Sequence, residues 1–317
     1  MFAALKKLAI AAFATALLAV PTSAADWAPD GPITVKVGFG PGGAADALAR
    51  AVGEAMEKNT GWKVVVENVE GGGGLTMLTG LQAAAPDGKT LGFGVTVPVW
   101  INLQKRGDQL PFKLDSFDWL GTVGRASLSL VIKSDLEAKD FAGLVEMSKK
   151  DGILVATNGP AQEMIVQAMA KATGGDFISV PTKSASETIQ NLLGGHVQAA
   201  TLGGAHADYV KKGDMVVVVS LAPVRDEVAP DVPTLIEDGY PFAVDAAFYF
   251  NAPAGLDPAA KAALASALDE ALKAPAAATV ISKMGMTAEN LGPEGTTKMM
   301  DDGLKSVGEM LAAIGGK

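Results

Sequence analysis

The chain has 317 residues, of which 35 are acidic and 26 are Lys or Arg, so its formal net charge is −9, and it contains no cysteine. This acidic balance does not suit nucleic-acid binding, because such binding depends on neutralising phosphates with Lys and Arg. The absence of cysteine excludes disulfides, thiolate nucleophiles and a lipid-modified N-terminal cysteine. Stability must come from ordinary hydrophobic cores, and the length suffices for two domains.

The first 25 residues have the pattern of a secretory signal peptide. Two lysines precede an apolar run over 8–20, and small residues over 22–25 follow it. The run is too short to span a bilayer, and no run of about 20 apolar residues occurs later in the chain. We expect cleavage after Ala24 or Ala25 and export of the mature protein to the periplasm.

Strand and helix patterns alternate along the rest of the chain. Apolar residues recur at three- and four-residue steps from Ala45 to Met56, which predicts an amphipathic helix. The first part of the chain is predicted to form strands over 33–39, 64–66 and 90–95, and helices over 44–58 and 75–84. The middle is predicted to form strands over 128–132, 153–156, 177–180, 197–201 and 216–219, and helices over 141–149, 161–173, 186–193 and 206–212. After residue 233 the pattern predicts a short helix, a strand near 247–250, and helices around 258–272 and 295–313.

This alternation predicts two α/β lobes, each a mostly parallel sheet flanked by helices. The periodicity does not decide which lobe receives the C-terminal helices. Two short extended segments, 127–132 and 246–251, are the natural crossings between the lobes if the tail returns to the first lobe. Paired crossings of this kind form a hinge.

The loop after the first predicted strand carries glycines in the spacing Gly38-x-Gly40-x-x-Gly43. With the acidic Glu67 after the second strand, this arrangement is similar to a dinucleotide-binding fingerprint. Export argues against that interpretation, since dinucleotides are chiefly cytoplasmic reagents. A glycine-rich approach to a helix N-terminus also suits a carboxylate, which accepts hydrogen bonds from unpaired backbone N–H groups. We therefore expect an anion-binding loop and no cofactor.

Six segments of the chain occur in an order and spacing that resemble one protein family. They read GPGGAADALAR, VVVENVEGGGG, PDGKTLGFG, VPTKSASETIQNLLGGHVQ, APDVPTLIEDG and NAPAGLDPAAKAAL. From about Pro32 to Ile314 the chain resembles the periplasmic substrate-binding receptors of tripartite tricarboxylate transporters, which are often called Bug-type receptors. The resemblance implies a receptor that closes on a small organic acid and delivers it to the subunits of a membrane permease. We expect it to act as a monomer.

The resemblance also implies a type II-like periplasmic binding protein, in which two crossing strands join the lobes and the ligand lies between helix N-termini. On this basis lobe 1 comprises residues 26–128 and 246–317, and lobe 2 comprises residues 129–245.

In lobe 1 the resemblance places ligand-binding residues in the glycine loop, at the start of the next helix and after the third strand: Phe39, Gly40, Gly42, Gly43, Ala45, Asp46, Val95 and Thr96. Ala45 departs from the family, which has a hydroxyl residue there. Asp46 is interpreted either as a contact of the ligand or its water, or as a helix-start charge that complements the dipole. The run from Gly71 to Gly74 is either a flexible turn or a neighbour of the ligand.

In lobe 2 and at the second crossing the expected ligand-binding residues are Asn158, Gly159, Pro160, Thr182, Lys183, Ser184, Thr201 and Phe248. Several departures occur here, because small hydroxyl residues and a His of the family are replaced over 160–163, a Tyr is replaced by Thr182, and an Asp is replaced by Thr201. Either Glu163 faces away from the ligand, or the ligand is not a simple polyacid. Phe248, Tyr249 and Trp100 could form an aromatic wall of the pocket or pack in the core.

An exported enzyme, either a hydrolase or a nucleotide-dependent oxidoreductase working in the same cleft, is the alternative function. The sequence gives it little support, since it contains no Cys/His cluster, no His-Glu-x-x-His helix and no Gly-x-Ser-x-Gly elbow. The two histidines, His196 and His206, are expected to be solvated surface residues.

Overall fold

The computed structural model describes residues 27–126, 128–284 and 286–315. The expected signal peptide lies outside the described residues. Within those ranges, no helix combines the length and the apolar character needed to cross a membrane. The described chain forms two five-stranded sheets with helices packed against them.

The first sheet contains the strands β1 (Ile33–Val37), β2 (Val64–Asn68), β3 (Thr90–Val95), β4 (Phe117–Ala126) and β10 (Ala246–Pro253), in the order β2-β1-β3-β10-β4. The second contains β5 (Ser129–Lys133), β6 (Ile153–Thr157), β7 (Phe177–Pro181), β8 (Ala199–Leu202) and β9 (Met215–Ser220), in the order β7-β6-β8-β5-β9. In each sheet one strand, β10 or β5, runs antiparallel to both of its neighbours, and the other strands point the same way. The prediction of two α/β lobes with mostly parallel sheets is therefore confirmed.

Ten α-helices are described. They are α1 (Ala44–Thr60), α2 (Leu75–Leu81), α3 (Thr96–Arg106), α4 (Phe141–Asp151), α5 (Pro160–Thr173), α6 (Ala185–Leu193), α7 (Ala207–Lys212), α8 (Pro258–Leu272), α9 (Pro275–Lys283) and α10 (Gly292–Ala313). Helices α8 and α10 pack against β4 of the first sheet, and α10 also packs against α3 and α5. The long C-terminal helix therefore contacts elements on both sides of the hinge.

The chain passes between the sheets twice, from β4 into β5 and from the loop after β9 into β10. Because β4 and β10 are paired antiparallel neighbours, the two passages lie side by side. Two adjacent connections restrict the relative motion of the lobes mainly to a hinge rotation.

Four local predictions were wrong, and the first is that the short helix α9 between α8 and α10 was not predicted. Helix α3 was not predicted, because its β-branched residues and the early Pro98 mask the helical period. Thr96, which was expected only to follow the third strand, begins this helix. Strand β4 was missed because Gly121 and Gly124 interrupt its apolar pattern. The segment 287–290 packs against the strand at these glycines, and a Cβ at Gly124 would lie 3.0 Å from Thr287 O. The helix expected after residue 233 is a single hydrogen-bonded turn, closed by Asp238 N–H donating to Thr234 O.

One apolar cluster spans α3, α5 and α10, and it includes the fully buried Trp100, Met300 and Met310. The Trp100 ring lies directly over Gly303 of α10, where a Cβ would overlap the ring. Trp100 and Tyr249 are both buried in the core, as the core alternative for these aromatic residues predicts.

Gly303→Ala is expected to destabilise the protein by about 1–3 kcal/mol, because the added methyl group must displace the Trp100 ring or separate α10 from α3. The measurement is urea denaturation at neutral pH. Gly80→Ala is the matched control, since Gly80 lies in α2 with open space where its Cβ would be, and it should leave stability unchanged or slightly raised. Equal effects of the two substitutions would contradict the packing described for α3 and α10.

Candidate ligand-binding site

The predicted apolar residues of lobe 1 come together at one edge of the first sheet. Strand β1 pairs with β3 through Val37 and Phe93, and β3 pairs with β10 through Val95 and Phe248. Phe39, two residues after β1, and Val95, the last residue of β3, therefore both lie at the carboxyl ends of these neighbouring strands. Phe248 is half-buried and stacks on Phe93 with a ring-centroid distance of 5.8 Å. In open α/β sheets, ligands bind outside this edge.

The glycine loop approaches α1 in a conformation that needs its glycines. Gly42 has a φ of 79°, in the left-handed region, and a Cβ at Gly38 would come within 2.8 Å of Gly74 Cα. The backbone of the glycine loop therefore lies directly against the backbone of the run Gly71 to Gly74. A Cβ at Gly40 would lie 2.8 Å from Glu70 Oε2, which places that carboxylate at the rim of the loop.

Helix α1 begins without a side-chain cap among the described residues. Its N-cap is Gly43, and the first intrahelical bond runs from Ala47 N–H to Gly43 O at 3.0 Å. The N–H groups of Ala44, Ala45 and Asp46 precede that bond, so they have no partner within the helix. Ala44 is exposed. The Ala45 side chain is packed in the core, so Ala45 can reach a ligand only through its backbone N–H. This helix start is an electropositive patch of backbone donors.

Asp46 fastens the glycine loop. Its nearly buried carboxylate accepts hydrogen bonds at 3.0 Å from Gly42 N–H, Arg50 Nε and Asn68 Nδ2, and Asn68 Nδ2 also donates to Phe39 O at 2.9 Å. The hydrogen bond from Arg50 and the one from Gly42 N–H lower the pKa of Asp46 to about 2. The ionised Asp46 carboxylate therefore holds Gly42 directly and Phe39 through Asn68. A direct contact of Asp46 with a ligand stays a prediction.

Thr96 is fully buried, and its hydroxyl is used inside the protein. The Oγ1 atom donates to Asp245 O at 2.6 Å and accepts from Ala247 N–H at 3.1 Å. Thr96 therefore joins the start of α3 to the start of β10 at the second crossing. Its predicted contact with the ligand is untested, and its position next to Val95 keeps it at the same sheet edge.

In lobe 2, Asn158 follows β6, and its side chain lies at the start of α6. The Asn158 side-chain oxygen faces the N–H groups of Ser184 and Ala185 and accepts from them at 2.9 Å and 3.2 Å. In the opposite amide orientation the Asn158 NH₂ group would face these two N–H donors. Gly159 then turns the chain with a φ of 123°, and Pro160 occupies the first position of α5, as predicted.

The polar groups around the start of α6 are also paired within the lobe. Ser184 Oγ accepts from Glu187 N–H at 3.2 Å and so caps α6, and Glu187 Oε2 accepts at 2.9 Å from the N–H of Lys183, the residue before this N-cap. Thr182 Oγ1 lies 3.0 Å from Thr157 O and 2.6 Å from Thr188 Oγ1. Ligand contacts of Thr182, Lys183 and Ser184 stay predictions. The backbone N–H groups of Lys183 and Ser184 already donate to Glu187 and Asn158.

Gln162 was not predicted as a site residue, yet it joins the carboxyl ends of β6 and β8. Its Oε1 accepts from Asn158 N–H and lies 3.1 Å from Thr201 Oγ1, which is also 3.2 Å from Ala156 O. A Gln three residues after the N-cap Gly159 is placed to reach back over the helix start, and that spacing was the available sequence signal.

His206 is buried, so the expectation that it is a surface residue was wrong; His196 is exposed, as expected. His206 Nε2 lies 2.8 Å from Asp226 Oδ2, and Ser129 Oγ donates to the same oxygen at 2.5 Å. Burial opposes ionisation of Asp226, but the hydrogen bonds from His206 and Ser129 keep its pKa below the ordinary value. Ser129 and His206 each bond to Asp226, so the serine is not paired with the base that a Ser-His-Asp hydrolase requires.

A buried ion pair connects the two crossings on the side where α10 packs. Arg125 Nε lies 2.8 Å from Asp245 Oδ1, and Arg125 Nη1 lies 3.2 Å from Glu289 Oε2. Arg125 and Asp245 line a cavity of 560 Å³ between α10 and the loop over 223–243. Burial raises the pKa of Asp245 to about 6, although the Arg125 guanidinium favours its ionised form.

Asp46→Asn is expected to lower the free energy of unfolding by about 1–3 kcal/mol at neutral pH, because the ion pair with Arg50 and one acceptor are lost. The carboxylate stabilises the fold above its ordinary pKa near 4, and this stabilisation is lost as the pH falls through about 2. Urea denaturation should therefore show the difference from wild type shrinking over this acidic window. Glu54→Gln, which removes an exposed ion pair with Lys58 on the same helix, should change nothing measurable.

Asp245→Asn tests the buried carboxyl group at the hinge. Folded Asp245 holds its proton up to about pH 6, whereas an unfolded Asp releases it near pH 4, so the wild type loses about 2–3 kcal/mol of stability as the pH rises between these values. The variant does not titrate there, so its stability relative to wild type should rise over that window and then level off. Urea denaturation in unit steps from about pH 4 to about pH 7 measures this, and a constant difference would contradict the burial of an acid at this position.

Comparison with known proteins places the chain in a family. The sequence model of the tripartite tricarboxylate transporter family receptor, TctC, matches residues 48–315. The protein BugT of Bordetella pertussis is 29% identical over 313 residues, which cover 96% of this chain and 95% of BugT.

Two solved structures have the same fold. The ligand-free TctC solute-binding protein from Polaromonas superposes with a TM-score of 0.78 at 18% identity, over 90% of this chain and 99% of that one. MatC from Rhodopseudomonas palustris with bound malate superposes with a TM-score of 0.60 at 24% identity, over 89% of this chain and 99% of that one. With the family match covering most of the sequence, the chain belongs to the tripartite tricarboxylate transporter receptor family, TctC.

Proposed function

We propose that the protein is an extracytoplasmic receptor that binds a small organic acid between its two lobes and delivers it to a membrane permease of the tripartite tricarboxylate transporter type. Membership in the receptor family supports the transport role. MatC, with its bound malate, supports a carboxylate as the class of ligand. The predicted signal peptide supports a periplasmic location.

The observation that carries this proposal is the uncapped start of α1. The N–H groups of Ala44, Ala45 and Asp46 precede the first intrahelical bond, and the exposed glycines Gly42 and Gly43 let a ligand approach the backbone. A hydrogen bond to a charged group contributes about 1.5–3 kcal/mol. Several such bonds around one carboxylate, less the costs of ordering and closure, can reach the roughly −8 kcal/mol of micromolar binding.

Two carboxylates near the loop act in different ways on an incoming anion. Asp46 is neutralised by Arg50 and by hydrogen bonds, so its charge is offset locally. Glu70 is exposed at the rim beside Gly40, where water and salt screen its repulsion. The fixed dipoles of the α1 N-terminus therefore dominate at the backbone itself.

The predicted site residues divide between the lobes. Lobe 1, proposed as residues 26–128 and 246–317, supplies the glycine loop, the start of α1 and the apolar edge formed by Phe39, Val95 and Phe248. Lobe 2, proposed as residues 129–245, supplies the turns around Asn158 and Thr201. Closure about the paired crossings would bring the two edges together around the acid, and the permease would recognise the closed form.

The test is a thermal-shift screen of mono-, di- and tricarboxylates, aromatic acids and neutral metabolites, followed by calorimetry on the best compound and mass spectrometry of any co-purifying molecule. We expect an acid to give the largest shift. A neutral metabolite that stabilises the protein more than every acid, or a substrate that the purified protein consumes catalytically, would contradict the proposal.

Gly43→Val should weaken binding of the best acid at least about tenfold, because the side chain blocks the backbone approach. The substitution is compatible with the fold, since Gly43 has a φ of −84° and a Cβ there meets only Gly40 O at 3.6 Å. Calorimetry measures the affinity, and Gly80→Ala in α2 is the control that should bind like wild type. Unchanged affinity in Gly43→Val would remove this loop from the site.

A further inference from the structure

Gln162 lies over the edge of lobe 2 that faces the predicted site. Its Oε1 accepts from Asn158 N–H, just after β6, and lies 3.1 Å from Thr201 Oγ1 of β8, whose one hydroxyl proton also has Ala156 O as an acceptor at 3.2 Å. Because β6 and β8 are adjacent parallel strands, the side chain bridges the carboxyl edge of the second sheet. In open α/β sheets this edge borders the binding crevice.

The contact with Asn158 fixes the orientation of the Gln162 amide. A backbone N–H can only donate, so the atom that faces it must be the amide oxygen. The Nε2 group, with its two hydrogens, is then the other terminal atom of the planar amide, and no described residue accepts a hydrogen bond from it. The half-buried Gln162 therefore presents a donor-only group at this edge.

The Asn158 amide is oriented in a similar manner, and three backbone N–H groups of the neighbouring turn, those of Lys183, Ser184 and Ala185, have acceptors within the lobe. The Asn158 side-chain oxygen accepts from Ser184 N and Ala185 N, which leaves Nδ2 as its remaining group. Lys183 N–H is taken by Glu187 Oε2. Lobe 2 therefore offers side-chain amide donors beside the start of α5, whose N-cap Gly159 has no side-chain cap.

We propose that Gln162 is a specificity-determining residue, whose Nε2 donates from lobe 2 to an oxygen acceptor at the far end of the ligand. This rests on the proposed function, in which lobe 1 holds the acid group. Because its oxygen is held by Asn158 N–H, which can only donate, the amide cannot turn to accept a bond from a ligand donor. The ligand class is thus an acid with a second carboxylate, carbonyl or hydroxyl oxygen, and an acid with a distal ammonium group is rejected.

Gln162→Glu isolates the donor. The new side chain keeps an Oε1 for Asn158 N–H and Thr201 Oγ1 and has nearly the same shape, but an anionic oxygen replaces the NH₂ group. Gln167→Glu is the matched control, because it makes the same change at an exposed position of the same helix. Calorimetry with the best acid from a panel of malate, succinate, glutarate and adipate should show at least about a thirtyfold loss for Gln162→Glu and none for Gln167→Glu.

A second arm compares ligands on the wild-type protein, and that comparison does not depend on how the variant folds. Succinate, glutarate and adipate are each compared with the ω-amino acid of the same chain length, which exchanges the distal acceptor for a donor. The wild type should prefer the diacids, and Gln162→Glu should shift this preference toward the ω-amino acids.

Equal affinity of Gln162→Glu and wild type for the best acid, or wild-type binding of an ω-amino acid as tight as that of its diacid, would overturn the assignment. If wild-type protein binds no acid of any kind, the proposed function itself fails and this assignment fails with it. If an acid binds, Gly43→Val weakens it and Gln162→Glu does not, the assignment to Gln162 alone is wrong.

Discussion

The feature on which the site depends is a helix start that the protein leaves unsatisfied. A capping Ser, Thr, Asp or Asn normally accepts one of the first N–H groups of a helix, and such a cap contributes about 1 kcal/mol of stability. Helix α1 has Gly43 at that position. The nearest acid, Asp46, is occupied by Gly42 N–H, Arg50 and Asn68. The carboxylate that could have capped the helix instead shapes the loop before it, so the first N–H groups of α1 keep no partner within the helix.

The helix starts near the predicted site are of two kinds. Helices α1 and α5 begin at Gly43 and Gly159 without a side-chain cap, whereas Ser184 and Asn158 accept hydrogen bonds from the first N–H groups of α6. Lobe 1 would therefore supply positive potential, which attracts any carboxylate, while lobe 2 would add oriented side-chain amides to its own open helix start, and these amides discriminate between acceptors and donors. Thr96 connects the lobe 1 edge to the backbone of the second crossing, so the edge and the hinge are mechanically linked.

Much of the fold was predictable because its signals are local. Strand β3 and helix α8 have the predicted bounds, since turn residues and apolar periodicity mark them clearly. Helix α3 and strand β4 were missed because packing against α10 and the segment 287–290, distant in sequence, overrides their weak local patterns. In the site, the N-cap of α6 at Ser184 has a local signal in the spacing Ser-x-x-Glu. The pairing of His206 with Asp226 and the bridge made by Gln162 depend instead on strand order, which periodicity alone does not give.

The claim that exposed backbone donors at α1 bind the acid is tested most directly by NMR of the labelled protein during titration with its best-binding acid. The account predicts saturable downfield shifts of the amide protons of Ala44 and Ala45, as they form charge-assisted hydrogen bonds. The amide protons of Ser184 and Ala185, already bonded to Asn158, should move much less. Saturable binding that leaves the α1 amides unshifted and moves those of α6 would contradict it.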